Sequence, residues 1–144
     1  MKASADPTTV SSNRSVVLTC PAKAGYVILA RLALSAVCRL TPLAPDDVAD
    51  LKLAITEAAA YLVRGLADDL GDDDDELAPL GFTFQVEDDR LLVEITGPRE
   101  ADVNSPQDPS EQALRHAIIA ATVDEWDHRD GMIRLVKYLK PSAR

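Results

Sequence analysis

Two helix-period runs meet at a proline-bracketed break, and that break limits how the first half of this chain can fold. From Ala22 to Leu40 apolar residues recur at Tyr26, Leu29, Ala30, Ala33, Val37 and Leu40, the spacing of one helix face. Thr41–Pro45 (TPLAP) ends the run, because Pro42 and Pro45 each push the preceding residue out of helical geometry. A second stripe, Val48, Leu51, Ile55, Ala58, Leu62 and Leu66, carries a helix to about Ala67. Asp46 and Asp47 fall in its first turn, where the helix dipole favours negative charge. Ahead of both helices, Ser15–Cys20 (SVVLTC) predicts a short strand, with Pro21 opening the first helix.

The second half alternates differently. Gly81–Glu87 and Arg90–Thr96 predict two strands joined as a hairpin at Asp88-Asp89. Asp108-Pro109-Ser110-Glu111 predicts a helix start, with a capping residue, proline at the first helical position and a capping-box Glu; this helix runs to about Val123. Glu125–Arg129 and Met132–Leu139 predict a closing hairpin around Asp130-Gly131. The order β-α-α-β-β-α-β-β is that of an α+β fold, a two-layer sandwich with a mixed, mostly antiparallel sheet and helices on one face. The predicted organisation is a loose tail over 1–14, one domain over 15–140 and a short tail over 141–144.

Charge and cysteine content narrow the function classes. A net charge of −9 repels phosphate backbones, which argues against direct nucleic-acid binding; it suits a partner with basic patches, or serves only to keep the chain in solution. The acidic stretch from Asp68 to Pro79 has four consecutive aspartates rather than alternating calcium ligands, and is expected to be a solvated loop. Cys20 and Cys38 are too few for a disulfide framework and lack metal-ligand spacing, so a reducing, cytoplasmic setting is expected and no metal site. No apolar run reaches membrane-spanning length, and the first residues carry no apolar signal-peptide core.

One segment carries more than packing. The run PDDVADLKLAITEAAAYLVRG, together with the closing VDEWDHRDGMIRLVKYL, resembles the second helix and terminal hairpin of the bacterial anti-sigma factors and serine-protein kinases of the GHKL (Bergerat-fold) ATPases. The resemblance implies that fold over roughly Val16–Lys140. It also implies a Glu that polarises an attacking hydroxyl and, four positions on, an Asn that holds Mg²⁺ against ATP. Here Glu57 fills the first position and Tyr61 the second. A neutral phenol is a poor ligand for a hard cation. Glu57, Tyr61 and Arg64 are expected to share a helix face turned away from the Val48–Leu66 stripe, with Glu57 solvated or paired to Arg64.

Other family positions depart as well. Thr96 and Gly97 lie where the family's adenine-binding Asp and following glycines belong, and the next acids are Glu100 and Asp102. Ala113 and Arg115 stand where glycines would open the last helix to phosphate, and a side chain there obstructs close backbone approach. His116 is expected to be a packing or surface residue, and Trp126, on one strand face with His128, to serve the core or a subunit contact.

The resemblance then implies an anti-sigma factor that sequesters an RNA polymerase sigma factor without ATP or Mg²⁺. It implies a homodimer, and release by a competing anti-anti-sigma protein of the STAS fold. Sigma-contact candidates carried over from the family are Arg31, Ser35, Arg39 and Leu40, with Asp46, Asp47 and Asp50. The alternative is a working kinase that binds ATP and Mg²⁺, uses Glu57 as base and phosphorylates the STAS protein. A third possibility is an adaptor that binds the STAS protein alone.

Overall fold

The computed structural model describes residues 14–63, 79–98 and 108–139. Expectations for residues 1–13 and 141–144, Arg64, the acidic stretch over 68–78, Glu100 and Asp102 fall outside them, whereas Arg14 and Pro79, expected in the tail and the loop, open β1 and β2. The elements are β1 (Arg14–Pro21), a 3₁₀ turn (Ala24–Tyr26), α1 (Val27–Cys38), α2 (Pro45–Leu62), β2 (Pro79–Val86), β3 (Arg90–Thr96), α3 (Pro109–Thr122), β4 (Glu125–Arg129) and β5 (Met132–Tyr138). The α+β class and the element order match the sequence reading. The first helix is a correction: Pro21 closes β1 instead of opening a helix, and α1 begins only at Val27, after the 3₁₀ turn.

The strands form one sheet in the order β1-β2-β3-β5-β4. Every neighbouring pair is antiparallel, so the mixed sheet expected from sequence is not found among the described strands. The connections explain this. Among the described residues, two helices separate β1 from β2; the chain travels out along one and back along the other, so the end of β1 meets the start of β2, Pro21 opposite Pro79. Among the described residues, α3 alone stands between β3 and β4, which run parallel in direction, but β5 lies between them.

Alternation along the strands sorts the two sheet faces. Leu80, Phe82 and Phe84 of β2, Leu91, Val93 and Ile95 of β3, and Ile133 and Leu135 of β5 are all buried. They join Leu34 of α1 and Leu51, Ile55, Ala58 and Leu62 of α2 in one core. The rings of Phe82 and Phe84 lie nearly parallel, centroids 6.4 Å apart. Residues between them, such as Thr83, Gln85 and Glu94, are partly exposed on the other face, where Arg134 bridges to Glu94 directly across the strands at 2.9 Å.

Two glycines set the chain at the edge of the future site. Gly131 has φ of 77°, which its turn between β4 and β5 demands and which side chains disfavour. Its carbonyl accepts from the Gly97 N–H at 2.9 Å, tying the end of β3 to that turn. A Cβ at Gly97 would stand 3.1 Å from the Leu62 Cβ, so the absence of a side chain lets β3 end close against α2. Cys20 and Cys38 are both free thiols in the core, and burial pushes the Cys38 thiol up to about 11 against the opposing pull of Lys52. Neither is an activated nucleophile.

Candidate functional site

The face of α2 that carries Glu57 and Tyr61 lies against α3 and β4. Pro45 opens α2 at its first turn, where a missing N–H costs nothing, and Asp46 and Asp47 follow beside the helix N-terminus. Asp108 starts α3, its carboxylate accepting from the Ser110 N–H at 2.9 Å. Glu111, expected to complete a capping box, reaches instead toward Arg115 one turn on, at 3.8 Å.

Tyr61 is the main correction. Its side chain is 1% exposed, placing it among the buried residues of α2 instead of on a face turned away from the core. The cause is α3, which covers this side of the helix. Gln112 of α3 donates to the Tyr61 hydroxyl at 3.1 Å. His116 of α3 lies with its ring 5.5 Å from the phenol, and His128 of β4 meets the phenol edge-on at 4.7 Å. Trp126 completes the stack, 5.0 Å from His116. Offset and edge-on geometries of this kind are the favourable ones for ring pairs.

Glu57 is engaged in the same contact. Its carboxylate receives the Arg115 guanidinium at 3.1 Å, in place of the expected Arg64 or solvent. Both side chains are about one-fifth exposed, 19% for Glu57 and 24% for Arg115, so the pair is partly sheltered from screening. Of the remaining family positions, Ala113 and Thr96 are exposed. Thr96 pairs across the sheet with Gly81 and Met132, and Gly97 abuts Leu62.

Sequence reasoning named Glu57, Tyr61 and Arg115 separately but did not join them. It missed Gln112 altogether. The signal was present: Gln112, Arg115, His116 and Ile119 follow helical i, i+3, i+4, i+7 spacing, and Trp126 and His128 follow strand spacing. Polar residues at the inward positions of α3 hide its amphipathic pattern, since only Ile119 and Thr122 are buried.

The two imidazoles lie 5.8 Å apart. Burial, with a smaller contribution from His128, pushes the His116 pKa below its ordinary 6.5. A histidine whose folded pKa is depressed favours the neutral ring in the fold. Its stabilising share is present above pH 6.5 and is lost as pH falls through the lower folded value. Urea unfolding at pH 7.5, 6.5 and 5.5 (buffer settings on the order of the free-histidine range) is expected to show stability declining on acidification. His116→Phe, which keeps a ring against Tyr61 and Trp126, flattens that decline.

The residues that sequence offered as sigma-contact candidates fall on a separate surface. Arg31, Arg39, Leu40 and Asp46 are exposed; Ser35, Asp47 and Asp50 are partly so. Asp47 is committed within the fold, 3.6 Å from Lys137 of β5. The Ser35 hydroxyl donates to the Arg31 carbonyl at 3.1 Å. Among the described residues, no helix is long and apolar enough to cross a membrane, and no three His, Cys, Asp or Glu side chains converge as metal ligands.

No protein-family model matches the chain. Among curated proteins it is similar to the serine-protein kinase RsbW of Bacillus cereus strain AH187, 34% identical over 76 residues, which are 52% of this chain and 43% of that one. The serine-protein kinase RsbW of Halalkalibacterium halodurans is 28% identical over 87 residues, 60% of this chain and 49% of the relative. That of Bacillus thuringiensis subsp. konkukian is 33% identical over 76 residues. The chain spans about half the length of the curated relatives it matches.

Proposed function

We propose that this chain, a member of the anti-sigma factor and serine-protein kinase family of its relatives, works by capturing a sigma factor through surface contact and does so without nucleotide. The observation that carries the reading is the fate of the two family positions on α2. Arg115 holds Glu57, and Tyr61 is buried among Gln112, His116 and His128. Phosphoryl transfer relies on positioning and on metal-borne charge neutralisation, and a phenol enclosed by protein side chains supplies neither.

If ATP and Mg²⁺ play no part, phosphorylation does not set the partner free. Release then falls to competition, with an unphosphorylated STAS protein displacing the sigma factor from an overlapping surface. The family's homodimer belongs to the same reading, and it is supported by β1 being an edge strand among the described residues, with Val16 and Val17 40% and 68% exposed. So does a cytoplasmic setting, where a sigma factor works. A kinase reading has one observation in its favour, the retained Glu57, and it requires Arg115 to release that carboxylate.

The test is co-elution of the purified chain with purified sigma factors on a sizing column, with and without Mg-ATP. Capture is expected to be the same in both, and added STAS protein is expected to release the sigma factor with no nucleotide present. Capture that appears only with Mg-ATP contradicts the proposal.

A further inference from the structure

The helix α3 is held to the rest of the fold unevenly along its length. Its C-terminal end is pinned. Ile119 and Thr122 are its buried residues, Lys137 of β5 donates to the Thr122 carbonyl, and Asp124, just beyond the helix, accepts from the Tyr138 N–H at 2.7 Å. The half over residues 109–116 contains no fully buried residue. Among the described residues its hold on α2 and β4 is made by side chains: Gln112 on Tyr61, Arg115 on Glu57, and the His116 ring against Tyr61, Trp126 and His128. Segments with few buried apolar residues are the ones that open while the rest of a fold stays intact.

That hold is short of negative charge. The ionisable groups around His116 are Glu57 and Tyr61 from α2, Glu111 and Arg115 from α3 itself, and His128 from β4, with Lys137 of β5 at the far end of the helix. Both acids are already engaged by Arg115, at 3.1 and 3.8 Å. Asp47 is held by Lys137, and Asp127 alternates to the other face of β4, where Arg129 pairs with it at 3.0 Å. A proton added to His116 therefore places a cation next to Arg115 and 5.8 Å from the His128 ring. It also leaves an N–H at Nε2, a buried atom with no hydrogen-bond partner among the described residues. The neutral ring avoids both costs. We propose that His116 is the trigger of an acid-sensitive latch: the neutral ring holds residues 109–116 against α2 and β4, and its protonation swings that half of α3 away about the pinned end, uncovering Glu57 and Tyr61. The sign agrees with the depressed His116 pKa, whose first cause is burial and second the charge of His128. The latch is closed above the ordinary 6.5 and loosens as pH falls through the lower folded value. This is more than a loss of overall stability, because the sheet, α1 and α2 keep their packing while α3 opens.

Amide hydrogen exchange of the full chain at several pH values from about 7.5 to about 5.5, around the free-histidine range, tests this. Each rate is divided by that of an unstructured peptide at the same pH. Protection of the amides over residues 113–118 is expected to fall by up to ~10-fold per pH unit below the ordinary histidine value, one proton being taken up on opening. Amides of β2, β3 and β5 keep their protection. Trp126, the chain's single tryptophan, packs on His116, and its emission is expected to move to the red over the same range. His116→Phe keeps a ring in place and loses the response, whereas His128→Phe, which removes the lesser cause, leaves a smaller one. Steady protection of α3 throughout, or protection lost from α3 and the strands together, overturns the inference. So does a His116→Phe chain that responds like the unaltered one. A second measurement needs no variant: the His116 ring, followed by NMR in the unaltered chain, is expected to titrate below 6.5, and a midpoint at or above that value also overturns the latch.

Discussion

Tyr61→Ala is expected to lower the unfolding free energy by about 3–5 kcal/mol, the range for truncating a buried aromatic. The loss has two sources. The ring is 1% exposed, so its removal opens a cavity between α2, α3 and β4. The rings of His116 and His128, 5.5 and 4.7 Å away, lose their common neighbour. In a domain of this size that loss moves the melting midpoint by about 10 °C or more. Tyr61→Phe keeps the ring and removes only the oxygen that accepts from Gln112, so it costs about 0.5–1.5 kcal/mol. Thermal and urea unfolding of the two variants check both values. A Tyr61→Ala cost below that of Tyr61→Phe would contradict the packing described. Tyr61→Asn falls with Ala in stability and gains no nucleotide binding, because Arg115 still occupies Glu57.

Lys137→Ala is expected to cost about 1.5–3 kcal/mol, the range for a hydrogen-bonded charge. Lys137 points inward from β5 and is 12% exposed, with its ammonium 3.6 Å from the Asp47 carboxylate at the start of α2. The same ammonium donates to the Thr122 carbonyl at 3.3 Å, at the end of α3, where the dipole favours a cation. One side chain therefore joins the negative end of α3 to an acid on α2. Asp47 is 33% exposed and can recover water, so the cost stays below the about 3–5 kcal/mol of breaking a fully buried pair. Lys137→Met keeps the apolar stem under the helices and is expected to cost less than Lys137→Ala. Urea unfolding with an unchanged denaturant slope would report a pure stability effect. A neutral Lys137→Ala would leave Asp47 with only the helix-dipole role that sequence alone assigned it.

Much of the architecture was legible because it rests on local rules. Pro42 and Pro45 mark the α1–α2 break, Asp108-Pro109 starts α3, and Asp130-Gly131 turns the last hairpin; each acts within a few residues. The errors came where distant elements decide. Pro21 stays in β1 because residue 21 finds a partner at Pro79, fifty-eight positions away in sequence. The all-antiparallel sheet follows from β5 inserting between β3 and β4, which no local pattern encodes. At the site, sequence identified Glu57 and the departure at Tyr61, but the helical spacing of α2 put Tyr61 outside the core. Only α3, arriving with Gln112, Arg115 and His116, makes that side of α2 an interior. Glu57 likewise looked solvated because its partner lies 58 residues ahead.

The account turns on whether α2 and α3 close on one another with no room for a nucleotide. Calorimetric titration of the purified chain with ATP and excess Mg²⁺ measures this directly. The prediction is no saturable heat up to millimolar nucleotide, and the same null result for Arg115→Ala, since Tyr61 remains buried. Micromolar binding that disappears when the magnesium is chelated would contradict it and return Glu57 to the role of a catalytic base.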